Sequence, residues 1–352
     1  MSAAPIDLST FHPDEIIYHC ISPALDPETI RNRRKGHVSF CWVCLKTDTD
    51  VGRTLRRCGK CHLLSYCSKE CQKKHWPEHK QECGKDDVPK FIPKLVKTLL
   101  ANPLLCLQLQ SCFVLAFDLI HRARRDEMLL AQLDVAVEPS NLTDFADIFL
   151  GQGSPKKEVP GMLQLNKFVP AKDVGSLSDL DPHVRHMHGF WRSEFALAES
   201  EGVYPCAVGM LAVSHPESEL SFTVPLRILP SRRDFAHIWI SGGLLFPSGV
   251  PGETIRVPYT VENCLQYINA HIRADTANQM LLRAVMRPFD IQLIRNAGMN
   301  FSPLAATVLA KMEREHVYKA LWETYLERLK AAADRFRASG YKNGGGDWFL
   351  PP

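Results

Sequence analysis

The sequence lacks an apolar run that could cross a membrane without interruption. From Thr98 to Phe117 there are twenty residues without a charge, but Asn102-Pro103 divides this segment. Gln108 and Gln110 would also be costly to place in lipid. The pattern therefore predicts a buried helical segment and disfavours a membrane span.

The sequence also lacks a secretory signal, because its first residues, MSAAPIDLSTFHPDE, contain neither a basic start nor an apolar run. Without such a signal, cysteines are expected to stay reduced. Close Cys pairs then bind metal more often than they form disulfides. We therefore expect an intracellular, reducing compartment, either the nucleus or the cytoplasm.

Signatures of several enzyme classes are missing as well. There is no Gly-x-Ser-x-Gly motif, and the GQGSPKK segment at 151–157 lacks the other residues of a phosphate-binding loop. Three histidines, His183, His186 and His188, lie close together, but helical spacing places only the first two on one face. We interpret them as surface residues, and the sequence favours a protein that is not an enzyme.

Positive charge is unevenly distributed along the chain. The formal net charge is +3, yet residues 31–85 contain 14 Lys and Arg against 5 Asp and Glu, a local +9. Basic residues such as Arg56, Arg57 and Lys60 lack the interleaved aromatic side chains of a base-stacking surface. Nucleic acid is therefore not the expected partner, although a DNA-associated regulator stays open as an alternative.

Residues that bind metal are concentrated in one short region. Seven of the twelve cysteines fall between Cys41 and Cys83, and one histidine completes a set of four close pairs. The pairs are Cys41/Cys44, Cys58/Cys61, Cys67/Cys71 and His79/Cys83. Eight ligands suffice for two tetrahedral zinc sites with no position open for water, so both ions are expected to be structural.

The spacing within this region predicts its local structure. The last two ligand pairs have i, i+4 spacing, which places both members on one face of a helix. Pro77 disfavours helical geometry at Trp76, so we expect two short helices with a break there. Between Arg53 and Tyr66 the pattern predicts a short hairpin. His75 lies outside the ligand pattern and is interpreted as a surface residue.

The full spacing, C-x2-C-x13-C-x2-C-x5-C-x3-C-x7-H-x3-C, resembles the MYND zinc finger, as do the segments YCSKECQ and HKQEC. The resemblance covers about 45 of the 352 residues. It implies two interleaved Zn²⁺ sites that brace the finger crosswise. One would be held by Cys41, Cys44, Cys67 and Cys71, and the other by Cys58, Cys61, His79 and Cys83.

The same resemblance implies a partner, because MYND fingers bind proline-rich peptides in an extended pose beside the hairpin strand and the helix. The matching positions in this chain are Leu64, Ser65, Gln72 and Trp76. An exposed indole offers a flat surface to proline rings. For Trp76, filling the small core of the finger is an equally weighted alternative.

Some MYND fingers belong to SET-domain lysine methyltransferases. That likeness would require an Asn-His-x-Cys-type cofactor motif and a later Cys-x-Cys-x-x-Cys cluster. Only four widely spaced cysteines follow Cys83, and neither motif is present. The resemblance to the MYND finger therefore does not carry methyltransferase activity with it.

The rest of the chain contains no motif that we recognise, and it alternates between helical and strand patterns. The expected fold class is α+β: a small double-zinc cross-braced finger, with a short hairpin and two short helices, attached to a larger mixed α+β domain. The expected divisions are an N-terminal helical extension (1–36), the finger (37–86), the α+β domain (87–340) and a Gly-rich apolar tail (341–352).

Together these features predict a zinc-binding adaptor for protein–protein interaction, with transcriptional regulation as one setting. An enzyme of unrecognised type in the large domain, recruited by the finger, stays open as an alternative. The tail YKNGGGDWFLPP ends in Leu350-Pro351-Pro352. It either tucks back onto the large domain or occupies the proline-binding groove of the finger.

Overall fold

The structure is a computed structural model of the chain. It describes residues 26–35, 39–61, 64–81, 83, 91–152, 158–171, 182–205, 207–215, 221–247, 253–299 and 305–338. The predicted apolar tail lies outside these residues. The chain divides into two compact units, one of residues 1–141 and 156–290 and the other of residues 142–155 and 291–352.

The finger contains a short hairpin and two helices of unequal length. Strands β1 (Arg56–Arg57) and β2 (Ser65–Tyr66) pair antiparallel, as the sequence predicts. The elements around them are helices α1 (Pro27–Lys35), α2 (Asp48–Val51) and α3 (Lys69–His79). Helix α2 begins at a capping box in which Thr47 and Asp50 bond to each other's backbone N–H.

Two buried helices follow the finger, α4 (Ile92–Ala101) and α5 (Pro103–Ala116). The predicted break between them is confirmed. The side-chain oxygen of Asn102 accepts hydrogen bonds from the N–H groups of Leu104 and Leu105, at 3.1 and 3.2 Å. Pro103 occupies the first helical position and has no N–H that would need a partner. Asn102 and Pro103 therefore favour the start of α5 at this point.

Seven strands follow the finger in the described part of the chain: β3 (Met128–Pro139), β4 (Pro160–Pro170), β5 (Ala207–Ser214), β6 (Ser221–Ile228), β7 (Leu244–Pro247), β8 (Thr254–Val257) and β9 (Arg283–Val285). Five of them form a mixed sheet in the order β6-β5-β3-β4-β9 at the centre of the first unit. Neighbouring strands in this sheet are antiparallel, except for β3 and β5, which run parallel. Strands β7 and β8 pair separately.

Helices intersperse these strands, as expected for the α+β class. They are α6 (Leu142–Phe149), α7 (Pro182–Ser200), α8 (Pro230–Gly242), α9 (Val261–Ala274), α10 (Pro288–Met299), α11 (Ala305–Arg314) and α12 (Lys319–Ala338), with a 3₁₀ turn at His316–Tyr318. The mixed α+β class predicted from the sequence is confirmed.

Helix α7 covers one face of the sheet and also contacts the finger. Met187 is buried with apolar residues of β3 and β5, and Phe190 and Trp191 pack against the same cluster. Toward the finger, Phe190 meets Phe40 edge-on with ring centroids 5.4 Å apart. Because one helix contacts both, the finger is seated against the sheet-bearing part of its unit.

Polar groups connect the outer helices to the sheet. Arg227 of β6 is paired with both Glu194 of α7 and Glu201. Asn269 of α9 uses its side-chain amide to bond both backbone groups of Leu165 in β4, each at 2.8 Å. The amide thus satisfies strand groups that would otherwise be buried without partners.

No single helix in the described part of the chain is both long and apolar enough to cross a membrane. Helices α4 and α5 meet these requirements only as a pair, and the chain bends by 92° between them.

Gly298 of α10 lies close to the backbone of Phe149, within the second unit. A Cβ atom at this position would lie 1.7 Å from the carbonyl oxygen of Phe149. We therefore expect Gly298→Ala to destabilise the unit by about 2 kcal/mol or more, measured by thermal unfolding. Gly59→Ala is the matched control, because a Cβ there meets no atom within 4 Å. Equal melting temperatures for the two variants would contradict the observed packing.

Candidate metal centre

The first ligand set brings together Cys41, Cys44, Cys67 and Cys71, whose ligand atoms all lie within 4.8 Å of one another. The Sγ atoms of Cys44 and Cys67 are 3.5 Å apart, and those of Cys67 and Cys71 are 3.4 Å apart. Two thiolates on one tetrahedral zinc ion lie about 3.8 Å apart, whereas a disulfide requires about 2.05 Å. The geometry therefore fits a zinc site.

The second ligand set is Cys58, Cys61, His79 and Cys83, and all four residues are buried. The His79 Nε2 atom lies 3.4 Å from the Cys58 Sγ and 3.5 Å from the Cys61 Sγ. The Sγ atoms of Cys58 and Cys83 are 3.6 Å apart. Both sets fit structural Zn²⁺ ions, and the predicted interleaving of ligand pairs is confirmed.

Short turns and one helix cap position the ligands. The Cys41 carbonyl accepts the Leu45 N–H at 2.9 Å, which closes the turn carrying the first pair. The Cys58 N–H donates to the Leu64 carbonyl at 2.8 Å and sets the second pair at the end of the hairpin. The Ser68 side chain caps α3 by accepting the Cys71 N–H at 3.2 Å. Local hydrogen bonds therefore position the pairs Cys41/Cys44, Cys58/Cys61 and Cys67/Cys71.

The predicted break at Trp76 is wrong, because α3 continues through Pro77 to His79. Proline at this point removes only one helical hydrogen bond, and it lies in the last turn. Beyond it, the Lys80 N–H still donates to the Trp76 carbonyl at 2.9 Å. The zinc ligands Cys71 and His79 stand near the two ends of α3, so metal binding at both ends favours one continuous helix.

His75 is not the surface residue that the sequence suggested. Its side chain is only 12% exposed, and its Nδ1 atom lies 2.9 Å from the hydroxyl of Tyr66. The ring stacks on that of the ligand His79 with centroids 5.4 Å apart. His75 therefore supports the second zinc site without joining it. Its signal in the sequence was the i, i+4 spacing to His79.

The interpretation of His186 as a surface residue is also wrong. It is half-buried, and its ring lies 4.0 Å from that of Trp42, centroid to centroid, where the finger meets α7. The side chain of His183 lies outside the described residues. Within the described residues, the clusters of three or more metal-binding side chains are the two zinc sites.

Two cysteines of the second ligand set, Cys58 and Cys83, differ in the pKa of their thiols. Burial acts to raise the pKa of the Cys58 thiol, but hydrogen bonds from the N–H groups of Cys61 and Lys60, and from His79 and Cys83, lower it to about 6. Burial, hydrogen bonding to Cys58 and the charge of Cys61 raise the pKa of Cys83 to about 12. With the ligands held together, Cys58 is thus the more acidic of the two thiols.

Of the four predicted peptide-binding residues, Leu64 directly precedes β2 and Ser65 lies on β2. The other two, Gln72 and Trp76, lie on α3. Leu64, Ser65 and Gln72 are half-buried. Trp76 is 42% exposed and meets His79 edge-on with ring centroids 5.9 Å apart. The core of the finger contains Tyr66, which is 2% exposed, so the indole of Trp76 does not fill that core.

Comparisons with known proteins agree with this geometry. A model of the MYND finger matches residues 41–83, and the finger is a zinc-binding interaction domain. Residues 41–83 are therefore a MYND-type zinc finger. A second model, described as a domain of unknown function (DUF8205), matches residues 89–321, about two thirds of the chain. The chain belongs to the DUF8205 family.

Curated relatives resemble the chain in the finger region. A SET and MYND domain-containing protein of Dictyostelium discoideum is 51% identical over 49 residues, 13% of this chain and 9% of that protein. Human histone-lysine N-methyltransferase SMYD3 is 47% identical over 47 residues, 13% and 11% of the two chains. Human N-lysine methyltransferase SMYD2 is 33% identical over 77 residues, 22% and 16%.

These alignments span about a tenth to a sixth of the relatives' length. No solved structure matches the chain.

Zinc content tests the ligand assignment. We expect two zinc ions per chain, and we expect Cys58→Ser to lose one ion because it removes a ligand from the buried site. Native mass spectrometry of the full chain measures the stoichiometry. Cys106→Ser is the matched control, since Cys106 belongs to neither set, and it should retain both ions. Two ions in Cys58→Ser would contradict the assignment.

Zinc affinity should fall as the pH falls, because the cysteine ligands bind zinc as thiolates and zinc must displace their protons. A free cysteine thiol is largely protonated at neutral pH, and burial acts to raise the pKa of Cys83 further. Calorimetric zinc titrations of the full chain in buffers of different ionisation heat measure the protons released between about pH 6 and 8. Zinc binding without proton release would contradict thiolate ligation.

Proposed function

We propose that the chain is a non-catalytic adaptor whose finger docks an extended, proline-containing segment of a partner protein. The docking surface comprises Leu64 and Ser65 beside the hairpin, and Gln72 and Trp76 on α3. The large domain would be delivered to, or tethered by, that partner.

The exposure of Trp76 carries the proposal. Its indole presents 42% of its surface to solvent while an edge-on contact with the zinc ligand His79 holds it in place. A large aromatic ring that is fixed before binding loses little conformational entropy when a partner packs against it. Proline rings suit such a surface because an extended proline-rich segment is already ordered.

The hairpin contributes less hydrogen bonding than an open strand edge would. The Ser65 carbonyl already accepts the Trp42 N–H at 2.9 Å, and the Leu64 carbonyl accepts the Cys58 N–H at 2.8 Å. Docking therefore draws mainly on the face of Trp76 and the amide of Gln72. A proline-rich segment fits this situation, since proline has no N–H to donate to a strand.

A non-catalytic role is supported by the metal chemistry. Each zinc set supplies four protein ligands and leaves no coordination position for a reacting water. The methyltransferase relatives are similar to this chain in the finger region, so the likeness does not extend methyltransferase activity to residues 89–321.

A reducing compartment, either the nucleus or the cytoplasm, completes the proposal. All ten cysteines in the described part of the chain are free of disulfides. Seven of them are zinc ligands. They bind zinc as thiolates, and an oxidised cysteine no longer serves as a ligand.

Substitution of Trp76 tests the docking surface. Binding of a labelled polyproline peptide of about ten residues to the full chain is measured by fluorescence anisotropy. We expect Trp76→Ala to weaken binding at least about tenfold, because an exposed aromatic anchor is removed. Gln72→Ala should weaken it less. Tyr204→Ala is the matched control, since Tyr204 is a 61% exposed aromatic residue outside the finger.

Zinc content is measured in every variant, because Trp76 contacts the ligand His79. If Trp76→Ala and Gln72→Ala both retain two zinc ions and bind the peptide as tightly as the unaltered chain, the proposed surface is wrong.

A further inference from the structure

A second surface of the first unit concentrates positive charge from four elements that are distant in sequence. We call it the basic surface. Its residues are Arg31, Arg33, Arg34 and Lys35 of α1, Arg56 and Arg57 of β1, Lys94 and Lys97 of α4, and Arg232 of α8.

Contacts between α1 and α4 fix the orientation of the first group. Ile30 is fully buried, and the Arg34 Nη1 atom donates to the Thr98 Oγ1 at 2.9 Å. Ile30 and Arg34 are four residues apart and share one face of α1, which is turned toward α4. Arg31 and Arg33 are exposed on the remaining faces.

The hairpin adds its charges close to α4. Burial lowers the pKa of Lys97, and the nearby positive charge of Arg57 lowers it further, with a smaller opposing effect from Asp48. Arg57 of β1 and Lys97 of α4 therefore lie near each other. The strand β1 thus adds its positive charge to that of α1 and α4.

The basic surface also includes Arg232 of α8, which lies near α1. Burial lowers the pKa of Arg232; the thiol of Cys106 opposes this effect, and the charge of Arg33 adds to it. Arg33 thus also lies near a second cation. Holding like charges together is unfavourable in the free protein, and an anionic partner would relieve that repulsion.

Two acids lie near this surface, Glu28 on α1 and Asp48 near Lys97, but the exposed cations of the surface are not paired with them. Its six exposed members form no ion pair with any residue that the structure describes: Arg31, Arg33, Lys35, Arg56, Arg57 and Lys94. The segment that joins the finger to α4, residues 84–90, contains two Lys and two Asp and adds no net charge.

We propose that the basic surface binds the phosphate backbone of double-stranded nucleic acid. Arginines outnumber lysines six to three on this surface, and the guanidinium group matches phosphate with two parallel hydrogen bonds. A duplex carries about one negative charge per 1.7 Å of its axis, a density that suits cations held this close together.

The side chains that are absent from the surface favour a duplex over other anions. Among the described residues, no exposed large apolar side chain lies on α1, β1 or α4, and the exposed Ile240 of α8 lies eight residues from Arg232. Protein interfaces are usually centred on such residues, and single-stranded nucleic acid is held by stacking on aromatic rings. The sequence alone disfavoured nucleic acid because its basic residues lack interleaved aromatic side chains, a criterion that applies to single strands and not to a duplex. The fold adds Lys94, Lys97 and Arg232 to the basic residues of the 31–85 region.

Charge reversal tests the proposal with the full chain and a labelled DNA duplex of about 20 base pairs and arbitrary sequence. Binding is followed by fluorescence anisotropy between about 25 and 250 mM salt. We expect log Kd to rise linearly with log salt concentration, since each phosphate contact contributes a slope of about 0.9. Arg33→Glu with Arg57→Glu should lower that slope by about two and weaken binding at least about tenfold at about 100 mM salt.

The control reverses two exposed lysines of α12, Lys319→Glu with Lys330→Glu, and changes the net charge equally. It should bind like the unaltered chain, and zinc content confirms that each variant is folded. Equal weakening by both double variants would show that only net charge matters and would overturn the site. Tighter binding of polyglutamate, of anionic lipid vesicles or of single-stranded DNA at the same salt would also overturn it, in favour of that partner.

Discussion

The interleaving of two zinc sites is the constraint on which the finger depends. The buried cluster of the finger consists of Cys58, Cys61, Tyr66 and Cys83, so three of its four members are themselves ligands. Apolar burial of this size does not hold a fold together without metal. Because each ion joins a turn or the hairpin end to α3, neither site can form without fixing the path of the chain through the other.

Features set by neighbouring residues were predictable from the sequence. The ligand pairs, the hairpin and the start of α5 at Asn102-Pro103 each depend on spacing or capping within a few residues. The assignment of ligands to ions came from the resemblance to the MYND finger, since spacing alone leaves the pairing open. Local rules therefore described the finger and the element types, but they could not connect the elements.

Features set by distant contacts could not be predicted. Pro77 is tolerated in α3 because ligands near both helix ends outweigh a local preference. His75 and His186 are polar residues in a basic sequence context, and only the fold places them against Tyr66 and Trp42. Likewise, β3 and β5 pair in parallel. The alternation of apolar and polar residues along each strand does not indicate which other strand it pairs with.

The docking surface at Trp76 and the basic surface depend on zinc to different degrees. Trp76 lies on a helix whose ends carry Cys71 and His79, so its position is set almost wholly by zinc. The basic surface takes only β1 from the finger, whereas α1 and α4 are held together by Ile30 and the bond from Arg34 to Thr98. Loss of zinc should therefore abolish peptide docking while leaving part of the positive surface intact. Binding that is lost for both ligands in parallel would instead mean that the finger orders α1 and α4 as well.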